Sequence, residues 1–153
     1  PPPTPPPGTP PPPTPPPHTP PPTPTPPPVT VTTIDVSLVN HGTTNTPFGT
    51  STGYAPAVTN VSVGSMVKFH NSDGFSHTAT SIPGSPMQFP AADPFTNAAM
   101  TQSGTTLSGG FSSGTLMGGA NSQLILADKA GTYLYGCFFH YASSGMRAAI
   151  VAQ

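Results

Sequence analysis

Gly131-Thr-Tyr-Leu-Tyr-Gly-Cys137-Phe-Phe-His140-Tyr-Ala-Ser-Ser-Gly-Met146 is the stretch whose reading decides this chain. The only cysteine of the 153 residues stands three positions before a histidine and nine before a methionine. Thiolate, imidazole and thioether on one short loop are metal donors, and soft sulfur ligands favour copper over hard, oxygen-seeking cations. A trigonal His₂Cys site with a weak axial Met needs a second imidazole. His77 offers one sixty residues upstream of Cys137, in Val67-Lys-Phe-His-Asn71-Ser-Asp73-Gly-Phe-Ser-His77-Thr-Ala-Thr80. The candidate metal ligands are therefore His77, Cys137, His140 and Met146.

Together the two segments resemble the blue-copper (cupredoxin) family. Its pattern joins a hydrophobic strand, an Asn-x-Asp turn and a His-Thr-x-Thr segment to a later Gly-Thr-Tyr-x-Tyr-x-Cys-x-x-His loop that ends in Gly-Met. The match spans most of residues 29–153. The loop is similar to that of plastocyanin, amicyanin and pseudoazurin, in which two residues also separate the Cys from the second His. Met146 departs from those relatives because it follows His140 by six residues, a longer spacing than theirs. The resemblance implies one type 1 copper ion and an all-β, Greek-key sandwich. It also implies a backbone amide at Thr78 that donates to the Cys137 sulfur, with Asn71 and Thr80 bracing the two segments.

Outward from these motifs, the composition divides the chain into residues 1–28 and residues 29–153. Twenty of the first 28 residues are proline and the rest are Thr, Gly and one His, in a near-repeat of ten. Such a stretch has no side chains with which to build a core, so a disordered polyproline II arm is expected. Fully extended, at about 3.1 Å per residue, it would reach about 85 Å. It could act as a spacer or surface anchor, as a ligand for a proline-recognising partner, or as a glycosylated stalk.

The remaining residues suffice for one sandwich of short strands. Val29 to Val39 alternates apolar and polar residues, as a half-buried strand does. Residues 40 to 59 read as a loop anchored by Phe48, Tyr54 and Ala55, followed by a strand from Val61 to Phe69 broken at Gly64-Ser65. Pro86, Pro90 and Pro94 forbid a long helix or central strand in residues 82–110. That segment reads as a flap packed through Phe89, Phe95 and Met100, with Asp93 as N-cap and Pro94 opening one or two helical turns. Strands are expected at Gln123–Ala127, Thr132–Phe138 and Arg147–Gln153, giving an antiparallel Greek-key sandwich.

Charge limits the partners. Four Asp, two Lys and one Arg are the only charged side chains, and the net charge is −1. Nucleic acid is excluded as a partner because phosphate neutralisation needs several Lys or Arg together. No apolar run is long enough to span a bilayer. A surface rich in Ser, Thr, Asn and Gly suits an extracytoplasmic protein, whether periplasmic, cell-surface or secreted, and a monomer is expected. Few carboxylates also means few groups to protonate, so tolerance of low pH is expected.

The resemblance implies an electron carrier rather than an enzyme, cycling between Cu(I) and Cu(II) and exchanging single electrons with redox protein partners. Relatives with oxidase or nitrite-reducing activity place a His directly beside the Cys, whereas Gly136 and Phe138 flank Cys137. Phe138, Phe139 and Tyr141 would form an apolar collar around the edge of His140, the electron port of the family. Copper storage, delivery or sensing without electron transfer is the alternative, and a display module dominated by the arm is a third. Taken alone, Cys137 could be a small buried hydrophobe.

Overall fold

The alternating apolar residues of the first strand pattern are buried as expected. In the computed structural model, which describes residues 1–153, Ile34 and Val36 of β1 (Val31–Val36) are fully buried. The expected loop that follows is more ordered than its composition suggests. It contains a hairpin of β2 (Thr44–Thr46) and β3 (Gly49–Ser51), then β4 (Tyr54–Ala55). The Thr46 hydroxyl closes the hairpin by donating to the Gly49 carbonyl at 2.6 Å and accepting the Phe48 amide at 3.1 Å. Gly49, at φ +115°, takes a backbone conformation that side chains disfavour.

The break at Gly64-Ser65 separates two strands of different sheets, β5 (Val58–Val61) and β6 (Met66–Asn71). After β7 (Thr80–Ser81) comes the flap, whose helical piece is a 3-10 turn over Asn97–Met100. Its N-cap is Thr96, so Asp93 and Pro94 do not open it. The Asp93 carboxylate instead accepts the Phe95 amide at 2.9 Å, a local turn that competes with helix initiation. Phe89 and Phe95 pack inward, while Met100 remains 39% exposed and does not anchor the flap.

Short strands β8 (Gln102–Ser103), β9 (Ser112–Ser113) and β10 (Ile125–Leu126) precede β11 (Gly131–Gly136). One helical turn, α1 (Tyr141–Ser144), then leads to β12 (Arg147–Ala152).

Apart from the separate β2-β3 hairpin, these strands form two sheets, in the orders β10-β6-β1-β4 and β5-β12-β11-β7-β9-β8. The sheets are mixed rather than wholly antiparallel, because β1 pairs with β6 and β12 with β5 in parallel. Parallel neighbours require a long crossover, and residues 37–65 supply one between β1 and β6. Ile34, Val36, Val67, Phe69 and Ile125 of one sheet face Tyr135, Ala148 and Ile150 of the other. Edge-on contacts of Tyr135 with Tyr54 (4.8 Å) and Phe69 (5.0 Å) fill the centre; each such pair adds about 1 kcal/mol beyond area burial. The flap covers the outer face of the larger sheet by packing Ile82 and Phe89 against Leu134, Tyr141 and Ala149.

Residues 1–28 enter neither sheet and are exposed throughout. No helix is long and apolar enough to cross a membrane.

Candidate metal centre

Both ligand-bearing segments emerge at one end of this sandwich, each directly after a six-residue strand. β6 ends at Asn71, a buried amide that organises the turn beyond it. Its Nδ2 donates to the carbonyls of Phe75 (2.8 Å) and Leu116 (2.9 Å), and its Oδ1 accepts the Asp73 amide at 2.9 Å. His77 is then clamped to Leu116 by two backbone hydrogen bonds of 3.1 and 2.8 Å. On the other side, β11 ends at Gly136 and hands the chain to Cys137, whose amide donates to the Met146 carbonyl at 3.0 Å. Gly136 allows this approach, because a Cβ there would lie 2.9 Å from that same carbonyl oxygen.

The longer spacing from His140 to Met146 has a plain structural reason. Tyr141–Ser144 coils into α1, and Gly145 ends it in the left-handed conformation at φ +63°. The chain thereby returns so that the Met146 amide donates to the His140 carbonyl at 3.3 Å. Met146 is fully buried and belongs to the same apolar cluster as Cys137.

The sequence motifs converge in space. One donor atom each from His77, Cys137 and His140 lie within 4.8 Å of one another. The Cys137 sulfur is 3.8 Å from Nδ1 of His77 and 3.5 Å from Nδ1 of His140. A tetrahedral-to-trigonal metal with bonds of about 2.3 Å to sulfur and about 2.0–2.1 Å to nitrogen separates those atoms by about 3.5–3.8 Å. The three residues therefore fit a single ion, and their soft sulfur and imidazole donors fit copper. Burial pushes the Cys137 thiol up, against the opposing pull of the amides of Thr78, Phe139 and His140. Burial, then the neighbouring His77, holds His140 below the usual imidazole range.

The amide of Thr78 donates to the Cys137 sulfur at 3.3 Å, as the resemblance implies. The bracing is distributed differently from the expectation. The Thr78 hydroxyl accepts the Phe138 amide at 2.9 Å and joins the two ligand segments directly, while Thr80 supports it through a 3.1 Å hydroxyl contact. Asn71 ties the His77 segment to Leu116 rather than to the Cys137 loop. Tyr54 adds a further hold by donating its hydroxyl to the Thr78 carbonyl at 2.6 Å.

The apolar collar is also composed differently. Tyr141 turns inward, where the guanidinium of Arg147 sits 5.3 Å from its ring. Its place beside the histidines is taken by Phe75, 4.8 Å from the His77 ring and 5.8 Å from the His140 ring. Phe139 lies 6.3 Å from His140, and both phenyl rings are partly exposed. Beside His77 in sequence, the Ser76 hydroxyl donates to the Met117 sulfur at 3.3 Å. Sequence reading missed Phe75 because nothing local ties it to His140.

It also missed the role of Asp73, whose carboxylate lies 2.7 Å from Nε2 of His77. The available signal was a carboxylate four positions before a ligand histidine. The remaining domain histidines lie apart from the cluster. His41 pairs with Asp35 at 2.6 Å, and His70 contacts the Asn121 amide oxygen at 3.0 Å.

No protein-family profile and no curated protein matches the sequence. Solved structures do match. A purple cupredoxin from Nitrosopumilus maritimus is similar over 79% of this chain and 98% of its own, at 20% identity and a TM-score of 0.50. Two amicyanin variants in the reduced state align over 79% and 80% of this chain and 80% and 82% of theirs. Their identities are 17% and 16%, and their TM-scores 0.48 and 0.49. The first of these likenesses establishes the cupredoxin fold.

Proposed function

We propose that this cupredoxin-fold chain binds one copper ion through His77, Cys137 and His140, with Met146 as a fourth, weaker ligand, and that it carries single electrons between redox protein partners outside the cytoplasm. The observation that carries this reading is the approach of two Nδ1 atoms to one sulfur, at 3.8 and 3.5 Å, the first of them from His77, sixty residues away. Bound copper would supply a one-electron Cu(I)/Cu(II) couple. The chain's part is to hold the donors still. His77 is fixed by Leu116 and Asp73, Cys137 by Thr78 and Met146, and His140 by the helical turn that it begins.

His140 is the partly exposed member of the group, flanked by Phe75 and Phe139. An apolar rim with few charges suits the small, short-lived interfaces of electron-transfer encounters. Residues 29–153 form the copper-binding unit in this reading. The proline-rich arm, residues 1–28, holds that unit away from whatever it is attached to, as a stiff spacer does. This role is that of an electron carrier, not of an enzyme.

Copper reconstitution followed by optical and spin-resonance spectroscopy tests the reading. A strong thiolate-to-Cu(II) absorption that disappears in Cys137→Ser is expected, with reversible one-electron reduction. A colourless Cu(I)-only protein would favour storage or delivery instead. A band that survives Cys137→Ser would overturn the assignment.

A further inference from the structure

Asp73 is the one buried carboxylate of the chain, and every contact of its side chain has a geometric purpose. Its Oδ1 accepts the Ser37 hydroxyl at 2.5 Å. Its Oδ2 accepts the Leu38 amide at 2.7 Å and lies 2.7 Å from Nε2 of His77. Two donors from the segment just after β1 thus aim the second oxygen at the imidazole edge opposite the ligand cluster. The His77 side chain is fully buried and the Asp73 side chain is 1% exposed, so water does not compete for this contact. The loop that closes over the turn is equally tight, since a Cβ on Gly118 would come within 2.6 Å of the Asp73 carbonyl oxygen.

We propose that Asp73 is a positioning residue for the metal centre: its carboxylate fixes His77 as the tautomer with a proton on Nε2 and a free lone pair on Nδ1, and its charge favours the oxidised ion. The first half follows from hydrogen-bond chemistry, because a carboxylate acceptor beside Nε2 leaves Nδ1 as the bare nitrogen. That bare nitrogen is the atom facing Cys137. The second half follows from charge. With Cys137 as thiolate and both imidazoles neutral, the ligand set contributes one negative charge, and Asp73 adds a second in the same buried region. A divalent ion is balanced by this pair; a monovalent ion leaves a net negative charge out of water, which is costly. The Ser37 hydroxyl and the Leu38 amide both donate to this carboxylate, and Nε2 of His77 lies against it, an environment that suits the ionised, acceptor-only form.

The charge half rests on the copper reading above; the tautomer half does not. In the metal-free protein, ¹⁵N spectra should show His77 protonated at Nε2 and bare at Nδ1. In the copper-loaded protein, Asp73→Asn keeps an acceptor of the same shape but removes the charge, and should shift the preference toward Cu(I) about tenfold. For a one-electron couple that is a rise of about 59 mV in reduction potential. Asp128→Asn, the same charge change at the surface, is the control and should leave the potential in place. A proton on Nδ1 of His77 in the metal-free protein overturns the proposal, and so does a potential that moves no more in Asp73→Asn than in the control. If Asp73→Asn does not fold, the spectrum of the unaltered protein still decides the tautomer. If no copper–thiolate band forms in the unaltered protein, the functional reading fails while the tautomer remains open to the same measurement.

Discussion

The two ligand-bearing segments are held by opposite means. The stretch from Cys137 to Met146 closes on itself: Cys137 bonds to Met146, His140 and Tyr141 bond back to Cys137, and Met146 bonds back to His140. The stretch from Asn71 to Thr80 is held by partners distant in sequence. Asp73 reaches Ser37 and Leu38, Asn71 and His77 reach Leu116, and Thr78 reaches Tyr54 and Phe138. A locally closed loop keeps its shape through short-range bonds and one glycine. A remotely held segment depends on the rest of the sandwich being in place, so damage to its supports should cost more.

The largest effect should therefore come from the upstream segment. Asn71→Leu keeps the volume but removes both donors to Phe75 and Leu116 and the acceptor for the Asp73 amide. Each buried polar group left without a partner costs about 1–3 kcal/mol, so a total near 3 kcal/mol is expected. Chemical denaturation of the metal-free variant measures it. A loss below about 1 kcal/mol would mean that β6 and its sheet, rather than the Asn71 network, hold the His77 segment.

The downstream loop offers the contrasting case in Gly145→Ala. A Cβ at Gly145 meets nothing within 4 Å, so only the left-handed backbone, φ +63°, resists the change. That conformation costs an ordinary residue about 1–2 kcal/mol. A denaturation loss of about that size, with the Nδ1-to-sulfur arrangement kept in the metal-free protein, is expected. A loss as large as that of Asn71→Leu would erase the difference between the segments.

This contrast also explains what was legible in the sequence. Cys137 and His140 could be paired from spacing because their geometry is made within one loop; the longer gap to Met146 resolves into a helical turn capped by Gly145. The sandwich was legible from the alternation around Ile34 and Val36 and from the proline-broken flap. The hairpin of β2 and β3 was not, because short polar strands such as Thr44–Thr46 carry no hydrophobic alternation. The parallel pairing of β1 with β6 was also hidden, since pairing direction depends on where a crossover returns and not on the strand's own residues. Asp73 read as a turn former because its purpose is set by Ser37 and Leu38, more than thirty residues away. Phe75 escaped notice for the same reason, because only the fold brings it to His140.

The smallest effect belongs to a carboxylate that sharpens the comparison by sharing the donors of Asp73 without its burial. Asp128, shortly before β11, accepts both the hydroxyl and the amide of Ser108. The Ser108 hydroxyl first, and its amide second, hold the Asp128 carboxyl below the usual carboxylate range. A lowered folded-state value means that the unfolded chain takes up its proton first as pH falls. The stability from this contact is therefore complete above the ordinary Asp value, about 3.9, and is lost as pH drops through the lower, folded value. Ser108→Ala removes the hydroxyl but keeps the amide, so a ¹³C-monitored titration should show the Asp128 midpoint rising only part of the way. Because this carboxylate faces solvent, the copper-binding end should be undisturbed. An unmoved midpoint would show that the amide alone sets it, and that a serine hydroxyl orients a carboxylate effectively only where water is excluded, as between Ser37 and Asp73.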